Sequence, residues 1–132
     1  MSMSYYYNKQ VSTDFESTIG NITEILKEKG FGILTEIDVQ ATFKKKLDVD
    51  FYKYKILGAC NPQFAYKALQ LEDKVGVMLP CNIIVQQKSP AALVEVSAVD
   101  PIASMSAVQN EKLGALAIEV ANSLKSAIES LS

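Results

Sequence analysis

Hydrophobic residues recur at helical spacing from residue 13 onwards. Thr13 and Glu16 stand at the positions of a capping box, in which two side chains bond backbone amides at the start of a helix. Gly30 is suited to end this helix, because glycine adopts the left-handed backbone conformation without strain. The apolar side chains between them are three and four residues apart and share one predicted face: Phe15, Ile19, Ile22 and Leu26.

Two further helices are predicted in the second half of the chain. Asn61 followed by Pro62 is typical of a helix start, with an asparagine cap and a proline in the first turn. This helix extends to about residue 71, and its predicted buried stripe is Phe64, Ala65, Ala68 and Leu69. A longer helix begins near Asn110, with an apolar stripe at Leu113, Leu116, Ala117, Val120, Leu124, Ala127, Ile128 and Leu131. Residues 39–47 are interpreted as a short, irregular helical connection.

Segments typical of β-strands lie between the helices. They cover residues 5–11, the stretch from 31 to the connection at 39, and residues 51–60, 75–87 and 93–99. The predicted order is therefore β-α-β-β-α-β-β-α, in which neighbouring strands favour an antiparallel or mixed sheet with the helices packed on one face. We predict an α+β fold with residues 1–132 as one domain. Residues 1–4 are expected to be disordered or left over from expression.

Charge and hydropathy narrow the classes of partner. The net charge is -2, and the basic run Lys44–Lys46 is too short to follow a phosphate backbone, so no nucleic-acid partner is expected. No apolar run approaches the roughly 18 residues that span a bilayer, and the first residues do not have the pattern of a secretory signal, so no membrane partner is expected. Two cysteines do not make a disulfide framework, which indicates a reducing cytoplasm.

The chain has no histidine. This excludes nucleophile–histidine pairs, histidine-containing zinc sites and a histidine pH switch within the chain. Any catalysis by its own side chains would use cysteine, carboxylate, lysine or tyrosine.

Two cysteine segments are the first candidates for chemistry: Cys60-Asn61-Pro62 and Pro80-Cys81-Asn82. Cys60 lies where a strand meets a helix, and unpaired amides there would lower the pKa of its thiol and favour a nucleophile or metal ligand. Strand alternation predicts that the two sulfurs point into the same layer, unless a bulge at Pro80 reverses Cys81. The alternative is that either cysteine is a small buried apolar residue without a reactive role.

A second candidate set follows the polar positions of the strands. Alternation predicts that Glu36, Asp38, Lys53, Lys55 and Glu95 lie on the sheet face away from the helices. Glu36 or Asp38 could serve there as a general acid or base if partial burial shifted its pKa. The alternative is a solvated face with cross-strand ion pairs.

The cysteine segments also carry a family resemblance. The chain resembles the domain of unknown function 302 family over nearly its whole length. Four segments carry the resemblance: the upstream stretch 30–38, the stretch from Ile56 to Pro62, the segment Leu79-Pro-Cys-Asn82 and the later Val99-Asp-Pro101. The resemblance implies a compact α+β domain of bacterial or archaeal origin that forms dimers, with these cysteines and prolines as landmarks. It implies no activity.

Our leading hypothesis is a binding domain, and a homodimer, whose ligand is a soft metal ion or a small molecule carrying sulfur. Its predicted ligand residues are Cys60, Asn61, Pro62, Pro80, Cys81, Asn82, Glu36 and Asp38, and the candidate metal ligands are Cys60 and Cys81. A cysteine-dependent enzyme with Cys60 as nucleophile, or as redox partner of Cys81, is the first alternative. The second is a structural dimerisation module with buried, inert cysteines. No cofactor is assigned.

Overall fold

A computed structural model describes residues 4–132 and contains one five-stranded sheet with helices around it. The strands are β1 (Tyr6–Val11), β2 (Gly32–Asp38), β3 (Lys53–Cys60), β4 (Cys81–Gln87) and β5 (Val94–Val99). The helices are α1 (Phe15–Glu28), α2 (Val39–Leu47), α3 (Pro62–Leu71), α4 (Pro101–Ser104) and α5 (Glu111–Glu129), with a 3-10 helix at Asp73–Met78. The expectation for residues 1–4 stays a prediction: the first three residues lie outside the described part of the chain, which begins at Ser4.

The sheet has the order β1-β5-β4-β3-β2, and each neighbouring pair is antiparallel. This confirms the predicted α+β class and, of the antiparallel and mixed sheets that the sequence left open, selects the antiparallel one. Residues 39–47 form the helix α2, as the spacing of their apolar positions indicated. In residues 4–132 we find no helix with the length and apolar character needed to cross a membrane.

The main core lies between one face of the sheet and the helices α1 and α5. The two helices contribute Phe15, Ile22, Leu26, Leu124 and Ile128, which meet buried side chains of β3, β4 and β5. All eight positions of the stripe predicted for the last helix are buried. Burial of such a stripe is the main source of helix stability in a folded protein, which is why its periodicity is a dependable guide.

The ends of α1 differ in part from the prediction. Asp14, rather than Thr13, caps its N-terminus, since the Asp14 carboxylate accepts a hydrogen bond from the Ser17 amide at 2.8 Å. Gly30 ends the helix as predicted, with a φ of 87°. The Gly30 amide donates to the carbonyl of Lys27, and the next amide donates to Leu26, which is the pattern of a Schellman motif.

The predicted strand at 75–87 is wrong in its first half. Val75 belongs to the 3-10 helix and is buried, whereas Val77 is 85% exposed, so the run of valines does not alternate across a sheet. β4 begins only at Cys81, directly after the cis peptide bond between Leu79 and Pro80.

The predicted faces of β2 and β3 are also wrong. Leu57 and Ala59 face the core, so Lys53 and Lys55, which share their parity, point towards the helices. The Lys53 ammonium lies 5.7 Å from the centre of the Phe15 ring on α1. Tyr54, Ile56 and Cys60 have the opposite parity, so strand alternation alone does not bring the Cys60 sulfur into the layer of Cys81.

An irregularity in β2 explains why Glu36 lies on the helix side of the sheet and not on the opposite face that alternation predicts. The register shifts between Ile33 and Thr35, and beyond this bulge Glu36 lies opposite Leu57 and Asp38 lies opposite Lys55. Directly opposite residues in an antiparallel pair share a face, so both carboxylates lie on the helix side of the sheet. Glu95, opposite Gln86, is on the other face.

Candidate functional site

An apolar cavity of about 40 Å³ lies at one end of the sheet, beneath α3. Its walls come from three directions: the sheet end, the inner side of α3, and the first half of α5 together with the segment after β5. The sheet end contributes Ala59, Cys60, Pro80 and Cys81, and α3 contributes Phe64, Ala65 and Ala68. The remaining wall is formed by Pro101, Met105, Leu113, Leu116, Ala117 and Val120. We call this space the thiol cavity.

The helix above the thiol cavity is attached at both ends by asparagine side chains. Asn61 caps α3 and its Nδ2 donates to the carbonyl of Lys29 at the end of α1, at 3.5 Å. Asn110 caps α5 in the same way and its Nδ2 donates to the carbonyl of Leu71, the last residue of α3, at 3.0 Å. Each asparagine therefore joins the beginning of one helix to the end of another.

The structure brings Cys60 and Cys81 to the same cavity, although 21 positions separate them in the sequence. Cys81 faces the core of the sheet, as predicted, and no bulge at Pro80 reverses it. Cys60 has the opposite strand parity but is the last residue of β3, where the chain turns into α3 and strand alternation no longer sets the side-chain direction. The two residues are one register step apart, because Ala59 lies opposite Cys81. Both are free cysteines.

The environment of Cys81 favours the neutral thiol. Burial raises its pKa to about 11, and the neighbouring Cys60 adds to the increase. At neutral pH the Cys81 sulfur is therefore protonated, which makes it a poor nucleophile. An incoming metal ion would have to displace this proton.

The amides at the start of α3 are already paired, contrary to the reasoning from the sequence. Asn61 Oδ1 accepts hydrogen bonds from Gln63 at 3.1 Å and from Phe64 at 3.4 Å, and the Asn61 carbonyl accepts from Ala65 at 2.9 Å. Pro62 has no amide proton to offer, and its side chain is exposed and outside the cavity wall. The amides of Gln63, Phe64 and Ala65 are therefore not free to stabilise a Cys60 thiolate.

Gly58 allows Pro80 to approach the sheet end closely. A β-carbon on Gly58 would lie 2.8 Å from Pro80 Cγ and 2.2 Å from Thr35 Oγ1. The absent side chain therefore leaves the space that the proline ring and the threonine hydroxyl occupy. The close approach of Pro80 and Thr35 therefore favours glycine at this position, as often holds for a glycine inside a strand.

Asn82 is separated from the thiol cavity and lies on the opposite face of the sheet. It borders an open depression of about 460 Å³, which Tyr5, Tyr6, Tyr54, Gln86 and Ser97 also line. Within this depression Ser97 donates to Asn8 Oδ1 at 2.6 Å. The sequence prediction grouped Asn82 with Cys81 because the two are adjacent in the chain, but adjacent strand residues point to opposite faces.

Glu36 and Asp38 are also away from the thiol cavity. The Glu36 carboxylate forms an ion pair with Lys55, with 3.0 Å between Oε1 and Nζ. The hydrogen bond in this pair is the main cause that raises the pKa of Lys55. Asp38 caps α2 by accepting from the Ala41 amide at 2.9 Å. Both carboxylates thus have local structural partners, and neither lies beside the cysteines.

Met105 and Pro101 border the thiol cavity and were not predicted as site residues. The sequence contained a signal for them, because Asp100-Pro101 has the same cap-and-proline pattern as Asn61-Pro62. Asp100 does cap a short helix here, accepting from the Ile102 amide at 3.0 Å, and this turn carries Met105 to the cavity.

Across residues 4–132, histidine, cysteine, aspartate and glutamate side chains do not gather in any group of three or more that could hold a metal ion. Beside the two thiols, the wall of the thiol cavity also carries the thioether of Met105.

Comparisons with known proteins agree on one family. The family model described as "Domain of unknown function DUF302" matches residues 7–131. A crystal structure of an uncharacterized conserved DUF302 protein from Bacillus stearothermophilus is similar in fold, with a TM-score of 0.88 and 28% sequence identity. The match covers 96% of this chain and 98% of that one. A search of proteins with curated descriptions found no significant match.

Proposed function

The chain belongs to the DUF302 family, and from this premise we propose that it binds a very small thiophilic ligand in the thiol cavity. The family name assigns no activity, so the proposal depends on the site itself. The observation that supports it best is the meeting of both cysteines of the chain at one apolar cavity. Two sulfur donors in a space with little other polarity suit a ligand that prefers sulfur to oxygen.

The volume of the cavity limits the ligand. About 40 Å³ is several times the roughly 10–15 Å³ that one water molecule requires. It is far below the roughly 300–1,000 Å³ of pockets that take drug-sized molecules. A soft metal ion or a sulfur compound of a few atoms fits the space without movement of α3.

The proposal is tested by the melting temperature of the protein with single probes: copper(I), silver(I), cadmium(II) and methanethiol. A ligand present at 100 times its dissociation constant stabilises the folded state by about 2.7 kcal/mol, or roughly 10 °C for a chain of this size. We expect at least one probe to produce such a shift in the wild type, and Cys60→Ser and Cys81→Ala to lose it. The proposal fails if no probe raises the melting temperature of the wild type more than that of the variant that carries both Cys60→Ser and Cys81→Ala.

Thiol modification separates this proposal from the enzyme alternative. Rapid alkylation of Cys60 at neutral pH, with turnover of a thiol or disulfide substrate, would favour a cysteine-dependent enzyme. Slow alkylation that becomes slower still with a bound probe supports a binding site.

The two free cysteines fit a reducing compartment, and we place the protein in the bacterial cytoplasm.

We also propose that the chain forms a homodimer through the face of the sheet that points away from α1 and α5. This face carries Ile56, Ile84 and Val99, which are only partly buried, beside Tyr6 and Ile37, which are 43% and 49% exposed. Apolar side chains on such a face are buried when a second sheet covers them.

Sedimentation equilibrium tests this association by comparing Ile84→Lys with a control, Ile118→Lys, which alters the half-exposed outer side of α5 instead. Only Ile84→Lys should yield monomers, and a monomeric wild type would end the idea.

A further inference from the structure

We propose that the thiol cavity is a site for one monovalent soft metal ion, copper(I) in the cell, held by the sulfur atoms of Cys60, Cys81 and Met105. This inference rests on the proposed function and makes it specific, since it names the ion and adds a ligand that is neither cysteine nor carboxylate. Its starting observation is that all three side chains border one cavity of about 40 Å³.

The three sulfur atoms come from three separate parts of the chain. Cys60 ends β3, Cys81 begins β4, and Met105 follows α4. Residues 4–132 contain two methionines, and the other, Met78, is 39% exposed and does not border the cavity. Met105 is half-buried and packs beside Leu113 and Leu116 of α5, which also line the space.

The donor set selects the class of ion. Thiolate and thioether sulfur are soft ligands that favour copper(I), whereas calcium and magnesium require oxygen ligands. Structural zinc sites use four ligands from cysteine, histidine and carboxylate, and the cavity wall provides only two of that kind. Copper(I) and silver(I) are satisfied by two or three sulfur atoms, which is what the wall offers.

Charge explains why a thioether suits the third position. Binding replaces the protons of the two thiols, which pass to solvent, and the oxidation state of the metal does not change. Two thiolates and one monovalent cation carry a net charge of minus one, and the neutral Met105 sulfur adds a bond without adding charge. A third thiolate would raise the charge to minus two in an apolar space, where each further charge is costly.

Competition with a chromogenic copper(I) chelator, without oxygen, measures stoichiometry and affinity. We expect one copper(I) per chain, displaced by silver(I) but not by an equal concentration of zinc(II). Met105→Leu should weaken copper(I) binding about tenfold, while Met78→Leu leaves it unchanged. Leucine and methionine are close in volume, so Met105→Leu is expected to fold, and its melting temperature without metal verifies this.

X-ray absorption provides a measure that packing alone would not change. The extended fine structure at the copper edge should give three sulfur neighbours of the copper ion in the wild type and two in Met105→Leu. If Met105→Leu has the affinity and the sulfur number of the wild type, the three-sulfur site is wrong, although the binding function survives. Stabilisation by cadmium(II) or methanethiol without copper(I) uptake also overturns the inference alone, whereas the absence of stabilisation by every probe overturns both.

Discussion

A β-carbon on Gly58 would lie 2.2 Å from the hydroxyl oxygen of Thr35 on the neighbouring strand. Thr35 follows the bulge in β2, and Pro80, 2.8 Å from the same point, precedes β4. The end of β3, the strand β2 and the turn before β4 therefore pack closely around the position that a side chain on Gly58 would occupy. Two of them adjoin the cysteines of the thiol cavity, because Cys60 ends β3 and Cys81 directly follows Pro80.

Gly58→Ala should therefore destabilise the protein by about 1–3 kcal/mol, the usual cost of inserting a methyl group into a filled space. The neighbours include the backbone-linked ring of Pro80, which can yield only if its strand moves. Urea denaturation measures the change in free energy of unfolding. The same variant should also alter the cavity, so probe binding should weaken in parallel.

Gly20→Ala is the matched control. Gly20 lies in the middle of α1, and a β-carbon there would meet nothing within 4 Å. Alanine is the better helix residue, so this variant should gain about 0.5–1 kcal/mol. Equal effects of the two substitutions would contradict the crowded geometry at Gly58.

The two asparagine caps allow capping and tethering to be measured separately. Asn61→Asp keeps an oxygen for the amides of Gln63 and Phe64 but loses the donor to the Lys29 carbonyl. Asn61→Ala loses both. We expect a loss of about 0.5–2 kcal/mol for alanine and a clearly smaller one for aspartate.

Asn110→Asp and Asn110→Ala repeat the experiment at the other end of α3, where Nδ2 contacts the Leu71 carbonyl. Because this contact is shorter, 3.0 Å against 3.5 Å, the difference between aspartate and alanine should be smaller at Asn110. Hydrogen exchange of the first amides of α3 and α5 locates each effect. Identical losses for aspartate and alanine at both sites would assign no role to the Oδ1 caps.

Stability should fall in alkali because of Cys81. Its pKa is about 11 in the folded protein, above its ordinary 9.0, so the folded state retains a proton that the unfolded state releases. The stabilisation is fully present below pH 9 and is lost as the pH rises to 11. One unit of pKa corresponds to 1.36 kcal/mol, so the loss is on the order of 2–3 kcal/mol.

Cys81→Ala removes this titration but retains the tyrosines and lysines that also ionise in alkali. The free energy of unfolding, measured by urea denaturation from pH 8 to 11, should therefore fall more steeply for the wild type than for the variant. Parallel curves would show that the Cys81 thiol is accessible to solvent.

Lys9 secures the C-terminal end of α5 to the first strand. Its ammonium donates to the carbonyl of Glu129 at 3.0 Å and to that of Leu131. Lys9→Met keeps the aliphatic stem but leaves these carbonyls to solvent, so we expect a loss of about 1 kcal/mol. Lys46→Met on exposed α2 is the control, and hydrogen exchange in the last turn of α5 should rise only in the first variant. No difference between them would mean that the ammonium contributes nothing.

The helix starts and most of the buried helix faces were predictable because local chemistry and periodicity agree in them. Leu69 is the exception, since it was assigned to the buried stripe of α3 and is 43% exposed. Asn61-Pro62 begins α3, and every predicted position of the α5 stripe is buried. Cap identity was less secure, because Thr13 and Asp14 are adjacent and both can cap, and only the backbone geometry selects Asp14. Helix start and burial are thus encoded within a few residues.

The sheet faces were not predictable in the same way. Lys55 keeps only 18% of its side chain exposed, with its stem on the helix side and its ammonium between Glu16 and Glu36. Alternation alone assigns such a lysine to the solvent face. The bulge in β2 then places Glu36 on the face opposite to the one that alternation predicts, and no residue type in that strand indicates the bulge.

The candidate site could be located only in part. Cys60, Asn61, Pro80 and Cys81 were predicted and do border one cavity, but the parity argument for Cys60 was wrong. Met105 lies 24 residues beyond Cys81 in the sequence and joins the site through tertiary packing. Spacing along a chain does not contain that information.

Attachment of α3 at both ends has a consequence for ligand exchange as well as for stability. If the helix swings outward as a rigid unit, it must first release either the Lys29 carbonyl or the Leu71 carbonyl. Ligand entry would then require release of this helix, so Asn110→Asp, a change outside the cavity wall, should raise the association and dissociation rate constants together. The equilibrium affinity would stay nearly constant, because the pocket itself is unchanged.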